Sequence, residues 1–123
     1  MKKFDDSSPI YQQLKDEIEA AIIAGNIRED EKLASIRSLA QEYRLNPQTV
    51  ANAVGELLQE GYLYKKRGIG MFVKEGSRQK LSSKRKEQFK KKEFKKVLKN
   101  AKILGLSKQE LLQMVTSYYE EEE

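Results

Sequence analysis

Two side-chain amides stand four residues apart in the middle of the chain, at Gln48 and Asn52. On a helix this spacing places both side chains on one face. Each amide carries a donor and an acceptor, so each can bind the N6 and N7 atoms of adenine in a DNA major groove. Thr49, beside them, can offer a methyl group to thymine or a hydroxyl to phosphate. An ordinary solvated helix surface carries the same residue types, and both interpretations stay open on spacing alone.

Positive charge and glycine occur together at residues 65–70, which read Lys65-Lys66-Arg67-Gly68-Ile69-Gly70. Glycine lets a backbone come close to a ligand, and three consecutive basic side chains suit a phosphate-rich partner or a DNA minor groove. A plain hairpin turn explains the glycines equally well, but not the basic run. Arg37 and Arg44 lie upstream, and for both we favour a positioning contact to phosphate over a surface salt bridge.

The residue types that are missing exclude most enzyme chemistry. The sequence contains no Cys and no His, which removes thiolate and imidazole metal sites, cysteine nucleophiles and Ser-His relays. No phosphate-cradling P-loop pattern is present. Four exposed carboxylates at Glu120–Glu123 are better explained as a solvated chain end than as a cation site. We therefore expect no catalytic activity, no cofactor and no metal.

The charge of the chain is unevenly distributed. Its 123 residues allow one domain, or a small domain with an appendage. Residues 1–76 hold 11 Lys/Arg and 12 Asp/Glu, residues 77–102 hold 12 and 2, and residues 103–123 hold 1 and 5. The basic block is either a phosphate-binding arm or the solvated face of a long helix. The longest apolar run, Ala20–Ala24, is too short to span a membrane, and no signal-peptide core is evident, so we expect a cytoplasmic protein without a membrane partner.

Helix start and stop patterns divide residues 1–76 into three helices and a hairpin. Pro9 begins an amphipathic helix that Gly25 ends, and Ser35 is a good N-cap for a helix of about two turns. Asn46 followed by Pro47 predicts the start of a third helix, which Gly61 ends. Two short β-like runs then flank residues 67–70. The sequence therefore predicts a mainly α fold with a small β wing (α+β), in which a winged helix-turn-helix occupies residues 1–76.

Residues 77–123 are predicted to form a basic connector and two helices. We place the domain boundary at residue 76, a polar connector up to about residue 83, and a helix from there to about residue 104. Gly105 breaks this helix, and Ser107 with Glu110 forms a capping box that begins the last one. Two short apolar stripes bury too little to form an independent core, so they should meet either the N-terminal module or another copy of the chain. The candidate dimerisation residues on these stripes are Phe94, Val97, Leu98, Ala101, Leu104, Leu111, Leu112, Val115, Tyr118 and Tyr119.

Over half of the chain, residues 9–74, resembles the winged-helix domain of the GntR family of bacterial transcription regulators. The segments that carry the resemblance are Pro9–Leu14, Leu33–Ala40, Asn46–Val50, Glu56-Leu57 with Gly61, and Arg67–Val73. The short tail, with room for two helices, is similar to that of the YtrA subfamily, which implies a dimeric repressor with a helical dimerisation appendage. The chain departs from the family in having Glu29-Asp30 where Pro-Gly is usual and Ala34 where Pro is usual, which leaves that loop less pre-set.

The resemblance also implies which residues meet DNA. Arg37 falls at the family's phosphate-contacting arginine, residues 46–52 fall on its recognition helix, and Gly68 and Gly70 fall on its wing. Ala51 and Val54 differ from common family residues, so base specificity does not carry over. The candidate DNA-binding residues are Ser35, Arg37, Arg44, Asn46, Gln48, Thr49, Asn52, Lys66, Arg67, Gly68 and Gly70.

Two functions compete at this point. In the first, a homodimeric sequence-specific regulator, most simply a repressor, places two recognition helices in successive major grooves of an inverted-repeat operator on double-stranded DNA. In the second, the chain is a nonspecific nucleic-acid scaffold or an RNA-binding module that uses the winged helix and the basic segment. A small-molecule effector between the appendage and the module is also left open, and the sequence does not identify it.

Overall fold

A computed structural model of the chain describes residues 4–121, so Glu122 and Glu123 of the acidic end lie outside the described residues. The structure has two compact units, one ending at Ser83 and the other beginning at Lys84. In chain order the elements are α1 (Ile10–Ala24), α2 (Ile36–Tyr43), α3 (Pro47–Gln59), β1 (Leu63–Lys66), β2 (Gly70–Val73), α4 (Ser77–Gln88), a π-helical segment (Phe89–Glu93), α5 (Phe94–Ile103) and α6 (Lys108–Glu121). The predicted α+β class, with three helices, a β wing and a helical C-terminal region, is confirmed. The division into a DNA-binding domain and a dimerisation region at residue 76 stays a prediction.

Local capping fixes where the helices of the first unit begin and end. The Ser35 hydroxyl accepts a hydrogen bond from the Ser38 backbone N–H at 3.0 Å, and the Asn46 side chain accepts one from the Gln48 N–H at 2.7 Å. Gly25 ends α1 in the left-handed conformation, with φ at 82°. All three residues have the capping roles that their types predict.

The wing is larger than the predicted hairpin. β1 and β2 pair antiparallel, with Leu63 opposite Val73 and Lys66 opposite Gly70. Residues 30–33 run beside β2 and form backbone hydrogen bonds with it. The Asp30 N–H donates to the Val73 carbonyl at 2.7 Å, and the Leu33 N–H donates to the Met71 carbonyl at 2.8 Å. The loop before α2 is therefore fixed by the wing as well as by its own sequence.

One hydrophobic core joins the elements of the first unit. α1 contributes Leu14, Ile18 and Ile22, and these side chains are almost completely buried. The other buried apolar side chains of this core are Leu33, Leu39, Ala40, Val50, Ala53, Val54, Leu57, Leu63, Val73 and Leu81. Burial of one face of α3 in this core leaves its opposite face in solvent, as the apolar period of that helix predicts.

The expected polar connector up to residue 83 is wrong, because the chain is helical from Ser77. Glu29 accepts hydrogen bonds from the backbone N–H groups of Gly76 and Arg78 at 2.9 and 3.1 Å, which satisfies the first turn of α4. Leu81 is fully buried in the core of the first unit. Leu81 is the only apolar side chain that this polar segment buries, so the segment shows no apolar period. Its cap, Glu29, lies 47 residues from Gly76 and could not be recognised from neighbouring residues.

The second unit contains the rest of the C-terminal helices. The predicted helix up to about residue 104 is interrupted by the π-helical segment, across which the rings of Phe89 and Phe94 stack with centroids 5.9 Å apart. Ser107 and Glu110 form the predicted capping box, with reciprocal hydrogen bonds of 3.1 and 3.2 Å. Within residues 4–121, no helix is both long enough and apolar enough to cross a membrane.

A buried lysine links α1 to α3. The Lys15 ammonium lies 3.0 Å from a Glu56 carboxylate oxygen and 2.9 Å from a Glu60 oxygen, and its side chain is only 6% exposed. Burial lowers the pKa of Lys15, but its hydrogen bonds to Glu60 and Glu56 outweigh that effect, so the pKa is raised above its ordinary value. The charged form of Lys15 is therefore favoured in the folded protein.

We expect this link to produce a pH-dependent part of the stability. Because the folded pKa of Lys15 is raised, its contribution is fully present below the unfolded pKa of about 10.4 and is lost as the pH rises through the folded value. Urea unfolding of the wild type and of Lys15→Met from about pH 8 to about pH 11.5 should show a difference in unfolding free energy that shrinks above about pH 10.4. Lys74→Met, at an exposed position, is the control. A Lys15→Met difference that stays constant over this range contradicts the assignment.

Gly55 gives a second test of the packing of α3. It is exposed in the helix interior, and a Cβ added there meets no described atom within 4 Å beyond its own helix. Glycine inside a helix costs about 0.5–1 kcal/mol relative to alanine. Gly55→Ala should therefore raise the free energy of unfolding by about this amount in urea titrations. Gly61→Ala is the matched control and should destabilise, because Gly61 has φ of 84°. A Gly55→Ala variant less stable than the wild type would contradict the expectation that a Cβ at this position meets no neighbouring atom.

Candidate nucleic-acid interface

The outer face of α3 carries the two predicted amides side by side. Gln48 and Asn52 are both exposed, and the Gln48 Nε2 donates a hydrogen bond to the Asn52 Oδ1 at 3.0 Å. This bond leaves the Gln48 carbonyl oxygen as an acceptor and the Asn52 amide nitrogen as a donor. A pair of this kind matches the acceptor and donor that adenine presents in the major groove.

The first turn of α3 is held by its cap. The Asn46 oxygen is engaged by the Gln48 N–H, and Pro47 occupies the first helical position, where no N–H is needed. Thr49 is half-buried, whereas Asn46 is exposed. Three of the four polar residues predicted on this helix, at positions 46, 48 and 52, are therefore open to a ligand.

The two arginines near the ends of α2 are exposed. Arg37 lies in the first turn of α2, directly after the Ser35 cap and Ile36. Arg44 ends the same helix in the left-handed conformation, with φ of 56°. The structure thus places one exposed guanidinium in the first turn of α2 and the other in the turn that leads to α3.

The wing tip is basic and tightly turned. Lys65, Lys66 and Arg67 are exposed, and the Lys66 ammonium lies 4.8 Å from the centre of the Phe72 ring, a cation–π contact that sequence reasoning missed. Gly68 and Gly70 have φ of 78° and 145°. The backbone conformation at Gly70 favours glycine, whereas a Cβ there would meet only the flexible end of the Lys32 side chain, at 2.9 Å.

A concave surface of about 460 Å³ joins α3, the start of α2 and the wing. Its lining is mostly apolar and includes Ile36, Val54, Leu58 and Met71, and Arg37 lines it as well. Ile69, at the wing tip, also borders it and is 58% exposed. The structure therefore brings Arg37, the wing and one side of α3 together around one hollow, an arrangement that the sequence did not reveal.

Two carboxylates fix the loop that departs from the family pattern. Asp30 adopts φ of 64°, and its carboxylate accepts a hydrogen bond from the Tyr64 hydroxyl at 3.0 Å. That hydrogen bond, followed by burial and the Asp30 charge, raises the pKa of Tyr64. Glu29 caps α4, as described above. The Glu29-Asp30 pair thus supplies side-chain contacts to a loop that was expected to be less pre-set.

The stripes predicted for dimerisation are largely exposed in the single chain. On α5 and its C-cap, exposure ranges from 40% at Leu98 to 78% at Leu104, whereas Ala101 is buried. On α6, Leu111 is half-buried, and the others are between 51% and 74% exposed. The other exposed members of the set are Phe94, Val97, Leu112, Val115, Tyr118 and Tyr119.

Comparison with known proteins places this fold and interface in a family. Residues 10–73 match the profile described as "Bacterial regulatory proteins, gntR family". The chain is 28% identical over 118 residues to the uncharacterised regulator YhcF of Bacillus subtilis, with 96% of both chains covered. It is 46% identical over 65 residues to the arabinose metabolism transcriptional repressor of Geobacillus stearothermophilus, and 35% identical over 72 residues to the repressor YtrA of Bacillus subtilis. These regions are 53% and 58% of this chain, but only 18% and 55% of the two repressors.

Solved structures agree with the sequence matches. A GntR family regulator from Listeria monocytogenes has a TM-score of 0.78 at 29% identity, with 93% of this chain and 98% of that chain covered. The DNA-binding domain of AraR in complex with operator ORR3 has a TM-score of 0.53 at 33% identity, over 59% of this chain and 88% of that one. The relatives and the fold are those of transcription regulators and not of enzymes. The chain therefore belongs to the GntR family of DNA-binding bacterial regulatory proteins, with the short helical C-terminal region of its YtrA-like members.

Proposed function

We propose that this regulator is a repressor that binds an inverted-repeat operator as a homodimer. The observation that carries the proposal is the exposed, mutually hydrogen-bonded pair of Gln48 and Asn52 on α3, because such a pair can read bases and not only phosphates. The names of the relatives in Geobacillus and Bacillus support repression. Repression then follows from occupancy of the operator in the cytoplasm, without chemistry. The small-molecule effector stays a prediction of the sequence.

The proposed division of labour follows the geometry of the site. Gln48 and Asn52 read base edges in the major groove, with Thr49 beside them. Arg37 and Arg44 hold the phosphate backbone, and the basic wing tip lies along the adjacent groove. Ser35 and Asn46 act first as caps, which set the directions of α2 and α3.

Exposed apolar surface on α5 and α6 supports dimerisation. Val97, Leu112 and Val115 are each more than half exposed, and large apolar side chains exposed on a surface are typical of protein–protein contacts. A two-fold dimer presents two copies of α3 to DNA, so the operator should be an inverted repeat with half-sites one or more helical turns apart.

Selection of bound sequences from a randomised duplex pool at about 150 mM salt tests this function. We expect one enriched inverted repeat, bound by a species of twice the chain mass in light scattering. The double variant Leu112→Gln/Val115→Gln should shift the protein towards monomer, because these exposed apolar side chains would lose their partner surface. Thr116→Gln, on the same helix, is the control and should stay dimeric. Binding without an enriched motif would instead favour the nonspecific scaffold.

Two single substitutions separate positioning from base reading. Arg37→Ala should weaken binding to every duplex alike and lower the salt dependence of log K by about 0.9, the value for one phosphate contact. Gln48→Ala should cost about 1–3 kcal/mol on the selected operator and little on a scrambled duplex. Gln59→Ala, exposed near the other end of α3, is the matched control for Gln48. Equal weakening of operator and scrambled duplex by Gln48→Ala would refute base reading by this residue.

A further inference from the structure

The positive charge of this DNA-binding chain lies mostly outside its winged helix. Residues 1–76 hold 11 basic and 12 acidic residues, whereas residues 84–102 hold ten basic and two acidic ones. Sequence-independent affinity for DNA comes from neutralising phosphates and releasing counterions. A module without net positive charge gains little long-range attraction to a polyanion. The C-terminal segment carries the charge that the module lacks.

Helical spacing gathers part of this charge on one face of α5. Lys95, Lys99 and Lys102 are spaced by four and three residues, and all three are exposed. Phe94, Leu98 and the buried Ala101 lie about a quarter of a turn away around the same helix, on an adjoining face. A partner that covers the apolar side therefore leaves the three ammonium groups accessible. We call these three lysines the basic face of α5.

The described carboxylates do not form ion pairs with the basic face. Between residues 4 and 121, no ion pair joins Lys95, Lys99 or Lys102 to an acidic side chain, in contrast to Lys90, which lies 3.5 Å from Glu87. The acidic end of a second copy is the obvious competitor for this face. Residues 103–123 contain only five acidic residues against the ten basic ones of residues 84–102. Even complete pairing in a dimer would leave positive charge in surplus.

We propose that the basic face of α5 binds DNA phosphates outside the bases read by α3. This inference rests on the proposed function, and it assigns part of the salt-dependent, sequence-independent affinity to α5, in addition to the phosphate contacts proposed for Arg37, Arg44 and the wing. The winged helix supplies the preference for the operator, and α5 increases binding to operator and non-operator DNA by the same factor.

The test compares three full-length proteins on two duplexes of equal length, one with the selected operator and one scrambled. The proteins are the wild type, the triple variant Lys95→Gln/Lys99→Gln/Lys102→Gln, and the charge-preserving triple variant with Arg at the same positions. Dissociation constants are measured from about 50 to about 300 mM salt, with the oligomeric state followed by light scattering. For each phosphate that is no longer neutralised, the Gln variant should lower the slope of log K against log salt by about 0.9, which is about eightfold in affinity at about 0.1 M salt. The decrease should be equal on both duplexes, and the Arg variant should retain wild-type binding.

The other outcomes overturn either this inference or the proposed function, and the measurements distinguish the two. An unchanged slope in the Gln variant, with operator preference intact, rejects phosphate binding by this face and leaves the proposed function standing. A changed ratio between the two duplexes would mean that this face contributes to sequence preference. Dissociation of the dimer in the Gln variant would assign the lysines to the second copy of the chain. If the wild type itself shows no preference for any sequence, the proposed function fails, and the slopes on the scrambled duplex still decide the role of α5.

Discussion

The orientation of α3 is the constraint on which the rest of the interface depends. Its apolar face, formed by Val50, Ala53, Val54 and Leu57, is buried, and Lys15 of α1 holds the polar edge of the helix through Glu56 and Glu60. A hydrophobic stripe alone permits some rotation of a helix about its axis, whereas a lysine shared by two carboxylates restricts it. Because the rotation of α3 is fixed in this way, Gln48 and Asn52, which lie opposite the buried apolar face, point outward. The orientation of α3 thus determines both which side chains it buries in the core and which it presents at the candidate interface.

Features that depend on neighbouring residues were predictable from the sequence. The capping hydrogen bonds join residues no more than three positions apart, so residue types and spacing predicted the helix starts. These caps are Ser35, Asn46-Pro47 and the Ser107–Glu110 box. The glycines at the wing were equally local, because a tight turn needs positive φ within a few residues. The outward placement of Gln48 and Asn52 followed from the apolar period of α3 on its other side. The roles of these side chains on DNA rest on their amide chemistry and on the family resemblance, and they stay a proposal.

Features that depend on distant residues were not predictable. Glu29 caps α4 by accepting a hydrogen bond from the Gly76 N–H, 47 residues away, and Lys15 contacts carboxylates 41 and 45 residues away. Leu81 is a single apolar side chain in a polar stretch, so it produced no period. The position of Lys15 does give one sequence signal, because it lies at the edge of the apolar arc formed by Leu14, Ile18 and Ile22 and not on the polar side of the helix. A charged residue in such an arc indicates a partner on another element, although it does not identify that partner.

The hydrogen bond between Gln48 and Asn52 has a consequence for how this regulator can diverge. Each amide is the local partner of the other, so replacing either one releases a donor or an acceptor on its neighbour as well as removing its own. The two positions are therefore coupled, and a substitution at one changes which substitutions are favourable at the other. Under the proposed function, duplicated genes that acquire new operators should reach them by paired changes at these positions, since intermediates with a single change would bind both the old and the new operator poorly.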